Sequence, residues 1–196
     1  MDLSTSQDTI RPEGKAPKLL TSCFELAEVL CSAVLAITVL FVFVARFAGV
    51  VGSSMVPTLK NNDWLCITAF LSNPKRGEIV IISPRTISFH EPLVKRVIAV
   101  AGDTVDIQEG KVLVNGNTVK ETYLPEGTTT EPAPEYLSNI DYPVTVPRGK
   151  VFVMGDNRGG SIDSRYADVG FIRVNDLLGK VLLRVWPKFK LSFQVK

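Results

Sequence analysis

Three short segments of this sequence hold polar side chains in settings where they could do chemistry. The first, residues 52–59, reads Gly-Ser-Ser-Met-Val-Pro-Thr-Leu. A serine in a loop is most often only a turn residue. Ser54 stands out because Gly52 allows the backbone to approach a ligand closely, Pro57 fixes the turn that follows, and the loop comes directly after a long apolar segment.

The second segment, residues 92–103, places two adjacent cations on one apolar strand. Side chains alternate along a strand, so Lys95 and Arg96 lie on opposite faces, each among apolar neighbours. At least one cation is therefore expected in a dry setting, where it could also be a purely structural, paired charge. Burial lowers the pKa of a lysine but leaves an arginine charged. A lysine that is neutral near pH 7 can act as a general base. If one of the two is catalytic, we expect it to be Lys95, with Arg96 structural.

The third segment, residues 155–165, reads Gly-Asp-Asn-Arg-Gly-Gly-Ser-Ile-Asp-Ser-Arg and follows a predicted strand. A surface loop of this composition is ordinary. Two Asp and two Arg so close together could also form an internal salt-bridge scaffold. Ser161 or Ser164 could orient another polar group.

An apolar segment before the first of these loops predicts a membrane anchor. Residues 29–45 contain no charge and would form about 25 Å of helix, close to the hydrocarbon thickness of a bilayer. Residues 47–51 continue the run, so we predict a flexible tail over 1–28 and a transmembrane helix over 29–51. A buried core helix would need a polar face, and a cleaved signal would not carry Glu25 and Glu28 before its apolar part. The Lys/Arg bias across the anchor barely favours the N-terminus inside.

Residues 52–196 read as β structure almost throughout. Glu109-Gly110 and Asn115-Gly116 indicate tight turns between short strands, and residues 121–147 indicate a long loop within a small accessory excursion over 104–149. Strands are predicted at 79–82, 93–101, 104–107, 111–114, 118–119, 151–154 and 181–185, with one helical turn at 175–178. The predicted fold class is mainly β: antiparallel sheets in a partly closed, barrel-like domain, preceded by one N-terminal transmembrane helix.

Composition excludes several classes of site. The chain has 196 residues and a net charge of +2, too balanced for a protein that binds nucleic acid mainly by charge. Three Cys without a C-x-x-C pair and a single His argue against a zinc site and leave little room for a His-dependent triad. We expect no metal and no cofactor.

Four motifs in order behind the anchor give the chain a resemblance to the type I signal peptidases, membrane-bound Ser-Lys proteases that remove signal peptides from exported proteins. The family pattern Ser-Met-x-Pro-Thr-Leu is found at residues 54–59, and Arg-Gly-Asp-Ile-Val is similar to Arg-Gly-Glu-Ile-Val at 76–80. Lys-Arg-Val-Ile followed by Gly-Asp is found at 95–98 and 102–103, and Gly-Asp-Asn-Arg with Ser-x-Asp-Ser-Arg at 155–158 and 161–165. The chain departs from the family at 159–160 and at 166–170, where the step is longer and lacks Trp.

The resemblance implies roles for five residues. Ser54 would be the nucleophile, Lys95 the general base and later the general acid, and Ser161 the hydroxyl that orients the lysine. Asp163 and Arg165 would form a supporting ion pair. The backbone N–H of Ser54 would hold the oxyanion in part, without the side-chain donor that some members carry at the position of Gly52. His90 is assigned no role.

The resemblance also implies a substrate and a location. The substrate is a preprotein signal peptide, whose extended segment adds to a strand edge. Its small side chains would enter shallow apolar pockets, for which the candidate lining residues are Val50, Met55, Leu59 and Val94. The chain would be single-pass with its C-terminal domain on the outer side, in a plasma membrane by default or a thylakoid or organelle membrane. Residues 186–193 alternate Lys with aromatic or aliphatic residues, which suits either a half-buried edge strand or contact with lipid headgroups.

Two other interpretations stay open. A self-cleaving repressor or mutagenesis-type protease would share the Ser-Lys pair but lack the anchor. A catalytically silent, membrane-anchored β module that binds exported peptides would have no reason to keep both Ser54 and Lys95. The sequence does not indicate an oligomeric state.

Overall fold

The computed structural model describes residues 18–43, 46–68, 73–83, 91–138, 140–187 and 190–191. The chain divides into two compact units, residues 1–40 and 41–196. His90 lies outside the described residues, as does the tail before residue 18.

The first unit contains most of helix α1, Lys18–Phe43. At 1.5 Å per residue its 26 residues extend over about 39 Å. The part from Leu20 to Val39 has a mean hydropathy of 1.8 with none of it buried, and among the described residues α1 is the one helix long and apolar enough to cross a bilayer. The hydroxyl of Thr38 donates to the carbonyl of Val34 at 2.8 Å, so this polar group is satisfied within the helix.

The structure corrects the predicted bounds of the anchor. The helix begins eleven residues before Val29, so residues 18–28 are helical, although the sequence predicted a flexible tail there. Residues 46–49, predicted as the end of the anchor, instead form strand β1, Arg46–Gly49, which pairs with β2, Trp64–Thr68. An apolar run does not by itself distinguish a helix end from a strand, and a paired neighbour supplies the backbone hydrogen bonds that favour the strand.

The second unit is built around an eight-stranded antiparallel sheet. Its order is β1-β2-β11-β3-β4-β9-β10, with β12 paired to β11. The bounds are β3 Ile79–Ile82, β4 Leu93–Val100, β9 Lys150–Met154, β10 Ile172–Arg173, β11 Leu177–Trp186 and β12 Lys190–Leu191. Register shifts interrupt β4 and β11, and such bulges increase the local twist of a sheet. The prediction of a mainly β, antiparallel, partly closed sheet is confirmed.

A second sheet lies within the region predicted as an accessory excursion. Its order is β7-β6-β5-β8, with β5 Thr104–Gln108, β6 Lys111–Val114, β7 Asn117–Thr118 and β8 Val144–Thr145. Both predicted tight turns are present, and Glu109, Gly110, Asn115 and Gly116 all have positive φ, as a two-residue hairpin turn of this type requires. Between β7 and β8 the chain is mostly irregular, with one 3-10 turn at Glu135–Leu137.

Three apolar clusters form the core of this unit. One packs β3, β4 and β9 against the segment that follows residue 165, and a second packs the two sheets together around Phe152. The third lies beneath the loop that carries Ser54 and consists of Val50, Met55, Leu59, Leu65, Ile67, Ile79, Ile81 and Val181, with Ala48 and Val94 partly buried against it. Each candidate segment is therefore fixed to a rigid element.

Candidate active site

The loop that carries Ser54 is bonded directly to the loop at 155–165. The backbone N–H of Asn157 donates to the carbonyl of Ser54 at 3.0 Å, and the Asn157 side-chain amide donates to the carbonyl of Ser53 at 3.2 Å. The Thr58 hydroxyl donates to the carboxylate of Asp156. Two of the three predicted segments therefore meet across about one hundred residues of sequence.

Ser54 is half-buried in a turn whose two sides are fixed by different means. On the N-terminal side, Gly52 has a φ of +93°, which favours glycine, and its N–H donates to the Asn61 side chain at 3.0 Å. On the C-terminal side, Met55 and Leu59 are joined by a backbone hydrogen bond of 2.9 Å and insert into the third cluster. The hydroxyl group is thus presented from a loop with little freedom to move.

Lys95 is buried in β4, with 2% of the residue exposed. Among the described residues, no carboxylate lies within salt-bridge distance of its ammonium. Burial lowers the pKa of Lys95 to about 8, while the charges of Asp163 and Asp156 act to raise it and that of Arg165 to lower it. The predicted dry setting is confirmed for this lysine, and about half of its population is neutral at a pH of about 8.

Arg96, the adjacent cation, is buried and fully engaged. Its Nε and Nη2 donate to the two carboxylate oxygens of Asp156 at 2.8 and 2.6 Å, and its Nη1 donates to the carbonyl of Gly77 at 2.8 Å. Its guanidinium carbon lies 3.8 Å from the centre of the Tyr123 ring. The two neighbours differ as the sequence predicted: the arginine is a structural cation, and the lysine is the one without a salt-bridge partner in the described chain.

Asp163 and Arg165 form the predicted ion pair in the interior of the loop. The Arg165 Nε and Nη2 donate to the two Asp163 oxygens at 2.8 and 3.0 Å, with both side chains almost wholly buried. Arg165 also donates to the carbonyls of Glu131 and Arg158 at 3.0 and 2.9 Å. Asp163 accepts from the N–H of Gly155 at 2.9 Å, so the pair holds the two ends of the loop together.

Ser161 is buried, and within the described part of the chain its hydroxyl has no hydrogen-bond partner. The hydrogen bond to Lys95 that the resemblance implied is therefore not formed in this structure, and the orienting role of Ser161 stays a prediction. A buried hydroxyl without a partner is costly, which is unusual for a purely structural residue.

Gly155 brings Ser54 and Ser161 close to one another. A Cβ placed on Gly155 would lie 2.5 Å from the carbonyl oxygen of Ser54 and would collide with the Ser161 side chain. Only a glycine fits between them. The start of the loop therefore touches both hydroxyl-bearing residues.

The four predicted pocket residues belong to one cluster, but they do not all line a surface. Val50, Met55 and Leu59 are buried, and Val94 is half-buried against them. Leu59 has no exposed surface, so in this structure it supports the apolar wall from behind, and its pocket role stays a prediction. For Val50, Met55 and Val94 the pocket role also stays a prediction.

Several residues that build the site were not singled out from the sequence. Asp156 links β4 to both loops, through Arg96 and Thr58. Glu121 binds the guanidinium of Arg158 with both carboxylate oxygens. The charged composition of the 155–165 loop gave a hint for Asp156, whereas nothing near Glu121 indicates a partner 37 residues away. Among the described residues, no group of three or more His, Cys, Asp or Glu could hold a metal ion.

Residues 23–186 match the family described as "Signal peptidase, peptidase S26", and the chain belongs to that family. It is 38% identical over 170 residues to the probable signal peptidase I-2 of Synechocystis, covering 83% of this chain and 73% of that one. It is 35% identical over 179 residues to signal peptidase I T of Bacillus subtilis, covering 89% of this chain and 91% of that one. It is 32% identical over 194 residues to the probable thylakoidal processing peptidase 2 of Arabidopsis thaliana, covering 91% of this chain and 48% of that one.

Proposed function

We propose that this protein is a membrane-bound endopeptidase that removes N-terminal signal peptides from exported preproteins, with Ser54 as nucleophile and Lys95 as general base. Membership of the signal peptidase family supports the activity. The observation that carries the assignment of the base is the burial of Lys95 without a salt-bridge partner in the described chain, with its pKa lowered to about 8. An amine with that pKa is available as a base without a histidine.

The reaction follows from these two groups. The Ser54 oxygen attacks the scissile carbonyl carbon while Lys95 takes the hydroxyl proton, and the carbonyl electron pair moves onto the oxygen. The tetrahedral intermediate collapses as the Lys95 ammonium returns that proton to the departing amine. This leaves the signal peptide as an ester on Ser54. A water molecule then gives a proton to Lys95 and attacks the ester carbon. The bond between that carbon and the Ser54 oxygen breaks, the Lys95 ammonium returns the proton to the Ser54 oxygen, and the signal peptide leaves with a free carboxyl group.

The oxyanion of each intermediate would be held in part by the backbone N–H of Ser54. Gly52 has no side-chain donor to add. The hydrogen bonds from Asn157 to the carbonyls of Ser53 and Ser54 fix the backbone around that N–H before substrate binds. A donor fixed in advance requires little reorganisation during the reaction.

The N-terminal half of β4 would receive the substrate. β9 pairs with β4 only from Arg96 to Val100, so among the described strands the backbone of Leu93–Lys95 has no partner on that side. An extended peptide added there would reach Lys95 through main-chain hydrogen bonds. Val50, Met55 and Val94 would then contact its small side chains at the first and third positions before the cut.

We propose that α1 anchors the chain in a single pass, with the peptidase unit on the outer side. The length and hydropathy of the helix and the membrane-related names of its relatives are consistent with a membrane location. The plasma membrane is the default, and a thylakoid or organelle membrane is the alternative. Lipid headgroups would meet an aromatic patch formed by Phe47, Trp64 and Trp186, each at least half exposed.

The three aromatic residues of this patch share one face of the large sheet. Trp64 is the register partner of Trp186, and Phe47 is the register partner of Cys66, two residues along β2 from Trp64. Tryptophan is enriched at membrane interfaces because its ring is apolar and its N–H is polar. A lipid surface is therefore the partner that best suits this face.

The test uses the full chain in detergent with a purified preprotein. We expect Ser54→Ala and Lys95→Ala each to lower the cleavage rate by about 10⁴-fold or more, since neither group works without the other. Ser53→Ala is the matched control, because Ser53 is exposed and contributes only its carbonyl to the site. The wild-type protein should release the signal peptide by a single cut, and Ser53→Ala should do the same.

The same assay separates the alternatives. A silent peptide-binding module would bind the preprotein but leave it intact. A self-cleaving protease would cut its own chain and spare the preprotein. Near-normal cleavage by Ser54→Ala or Lys95→Ala would reject the proposed Ser-Lys chemistry.

A further inference from the structure

Two buried arginines attach the irregular segment between β7 and β8 to the loop at 155–165: Arg165 binds one backbone carbonyl, and Arg158 binds the segment's side chains. The side chain of Arg158 is 1% exposed, and every nitrogen of its guanidinium is bonded. Its Nη1 donates to Glu121 at 3.0 Å and to the Thr130 hydroxyl at 2.6 Å, and its Nη2 donates to Glu121 and to the Tyr123 hydroxyl. Glu121 is the one carboxylate in this set.

The remaining nitrogen of the same guanidinium reaches the site. The Arg158 Nε donates to the carbonyl of Gly155 at 3.1 Å. Gly155 in turn touches the carbonyl of Ser54 and the side chain of Ser161, with no space for a Cβ between them. A continuous series of contacts therefore runs from Glu121 through Arg158 and Gly155 to Ser54 and Ser161.

Glu121 has geometry suited to fixing the arginine in one orientation. Its two oxygens bind two guanidinium nitrogens, and one of them also accepts from the Tyr123 hydroxyl at 2.7 Å. A carboxylate bound to a guanidinium in this way fixes the plane of the group as well as its position. That plane decides whether the Arg158 Nε points at the Gly155 carbonyl.

We propose that Glu121 is a positioning residue for the peptidase reaction, acting through Arg158 and Gly155 on the placement of Ser54 and Ser161. This rests on the proposed Ser-Lys function. It gives the accessory excursion a role in the reaction, in which it holds the loop that touches the backbone carbonyl of Ser54 and the side chain of Ser161. Glu121 contacts neither Ser54 nor Lys95, so it is not itself a catalytic residue.

The test compares Glu121→Gln with Glu126→Gln in the full chain. Both changes remove one negative charge from the same segment, but Glu126 is exposed and, within the described residues, belongs to no ion pair. The amide of Glu121→Gln can accept from only one side of the guanidinium. We expect kcat to fall by about 10- to 100-fold with KM within about twofold of wild type, because loss of alignment affects the transition state more than peptide binding. Glu126→Gln should match wild type in both constants.

The pH profile distinguishes positioning from an electrostatic effect. The pKa of Lys95 is shifted by burial and by the charges of Asp163, Arg165 and Asp156, and Glu121 is not among these causes. The pH midpoint of kcat/KM should therefore be the same in Glu121→Gln and wild type. A shifted midpoint would overturn the proposal, because Glu121 would then act on the base directly.

Two measurements test whether Glu121 has a merely structural role: the activity of a double variant, and the fraction of each variant that is folded. If Glu121 acts through Arg158, then Glu121→Gln combined with Arg158→Met should be no slower than Arg158→Met alone. Additive losses would overturn the proposal, as would a loss in Glu121→Gln that disappears when rates are expressed per folded molecule. Full kcat in Glu121→Gln while Ser54→Ala is inactive rejects only this proposal, whereas an active Ser54→Ala rejects the proposed function itself.

Discussion

At the scale of single residues, two adjacent cations in β4 have opposite environments. Lys95 is buried with no salt-bridge partner in the described chain, whereas Arg96 is bound by both oxygens of Asp156. Burial of the lysine therefore lowers the stability of the fold, whereas the arginine is compensated by its ion pair with Asp156. Unfavourable burial of this kind is characteristic of groups that perform proton transfer.

The lowered pKa of Lys95 predicts how activity depends on pH. Only the neutral amine can accept the Ser54 proton, so kcat/KM should rise with pH through a midpoint near 8, the value to which burial lowers this pKa. The measurement is preprotein cleavage at limiting substrate between pH 6 and pH 10, with Glu126→Gln as a surface-charge control. A flat profile over that range would contradict the assignment of Lys95 as the base.

Stability should depend on the same group with a definite sign. The pKa of Lys95 is about 8 in the folded chain and 10.5 for an exposed lysine, so below pH 8 the fold loses about 3 kcal/mol, a loss that disappears as the pH rises towards 10.5. We expect Lys95→Met to raise the free energy of unfolding by about 2 kcal/mol at pH 7 and by little above pH 10.5. Thermal unfolding in detergent at both pH values measures this difference.

The neighbouring arginine provides the control for that measurement. Arg96→Met would leave Asp156 buried and without its guanidinium, which should lower the free energy of unfolding by about 3–5 kcal/mol. The free energy of unfolding should rise in Lys95→Met and fall in Arg96→Met. Such opposite signs are expected only if one of the two charges is paired and the other is not. A destabilised Lys95→Met at pH 7 would show that the lysine is structural.

At the scale of elements, the loop at 155–165 determines how the strands and the Ser54 turn meet. Gly155→Ala would place a methyl group against the carbonyl of Ser54 and the side chain of Ser161. We expect a loss of about 1–3 kcal/mol in stability from the overpacking, and at least a tenfold loss in kcat as the two residues move apart. Cleavage kinetics and thermal unfolding of the same preparation separate these effects.

Gly159→Ala is the matched control on the same loop. A Cβ at Gly159 meets nothing within 4 Å, so the change should leave kcat and stability close to wild type. Equal behaviour of the two alanine variants would mean that the close contact at Gly155 is unimportant for the reaction.

The elements themselves were largely predictable where the signal is local. The runs predicted at 79–82 and 93–101 and the hairpin at Glu109-Gly110 carry their pattern in a few adjacent residues. The structure has strands at Ile79–Ile82 and Leu93–Val100 and a turn at Glu109-Gly110. The sequence interpretation wrongly assigned the residues of β1 to the anchor helix, because its apolar residues continue the apolar pattern of that helix. Only the pairing of β1 with β2 distinguishes a strand from a helix end here. The same limit applies to the site. The burial of Lys95 could be predicted from its apolar neighbours in the sequence. The hydrogen bonds of Thr58 with Asp156 and of Arg158 with Glu121 could not, because these partners are 98 and 37 residues apart.

At the scale of the whole molecule, the sequence combines an apolar helix with a sheet unit that exposes aromatic residues. Phe47, Trp64 and Trp186 lie on one face of the large sheet, and exposed aromatic patches of this kind on a protein mark interaction surfaces. A helix alone would tether the protein near a bilayer. The aromatic face would add a second attachment and so restrict the orientation of the peptidase unit.

The chain's two tryptophans, Trp64 and Trp186, make this arrangement directly measurable, because both belong to the patch. In bilayers reconstituted with brominated phospholipids, their fluorescence should be quenched relative to bilayers of the same lipids without bromine, since a ring at the interface lies near the acyl chains. Trp64→Phe and Trp186→Phe each leave a single emitter, and we expect both variants to be quenched, because the two residues are cross-strand partners on one face. In detergent without brominated lipid, all three proteins should emit normally. Emission that is insensitive to bromine but quenched by aqueous iodide would contradict the proposal and would mean that the helix alone attaches the protein to the membrane.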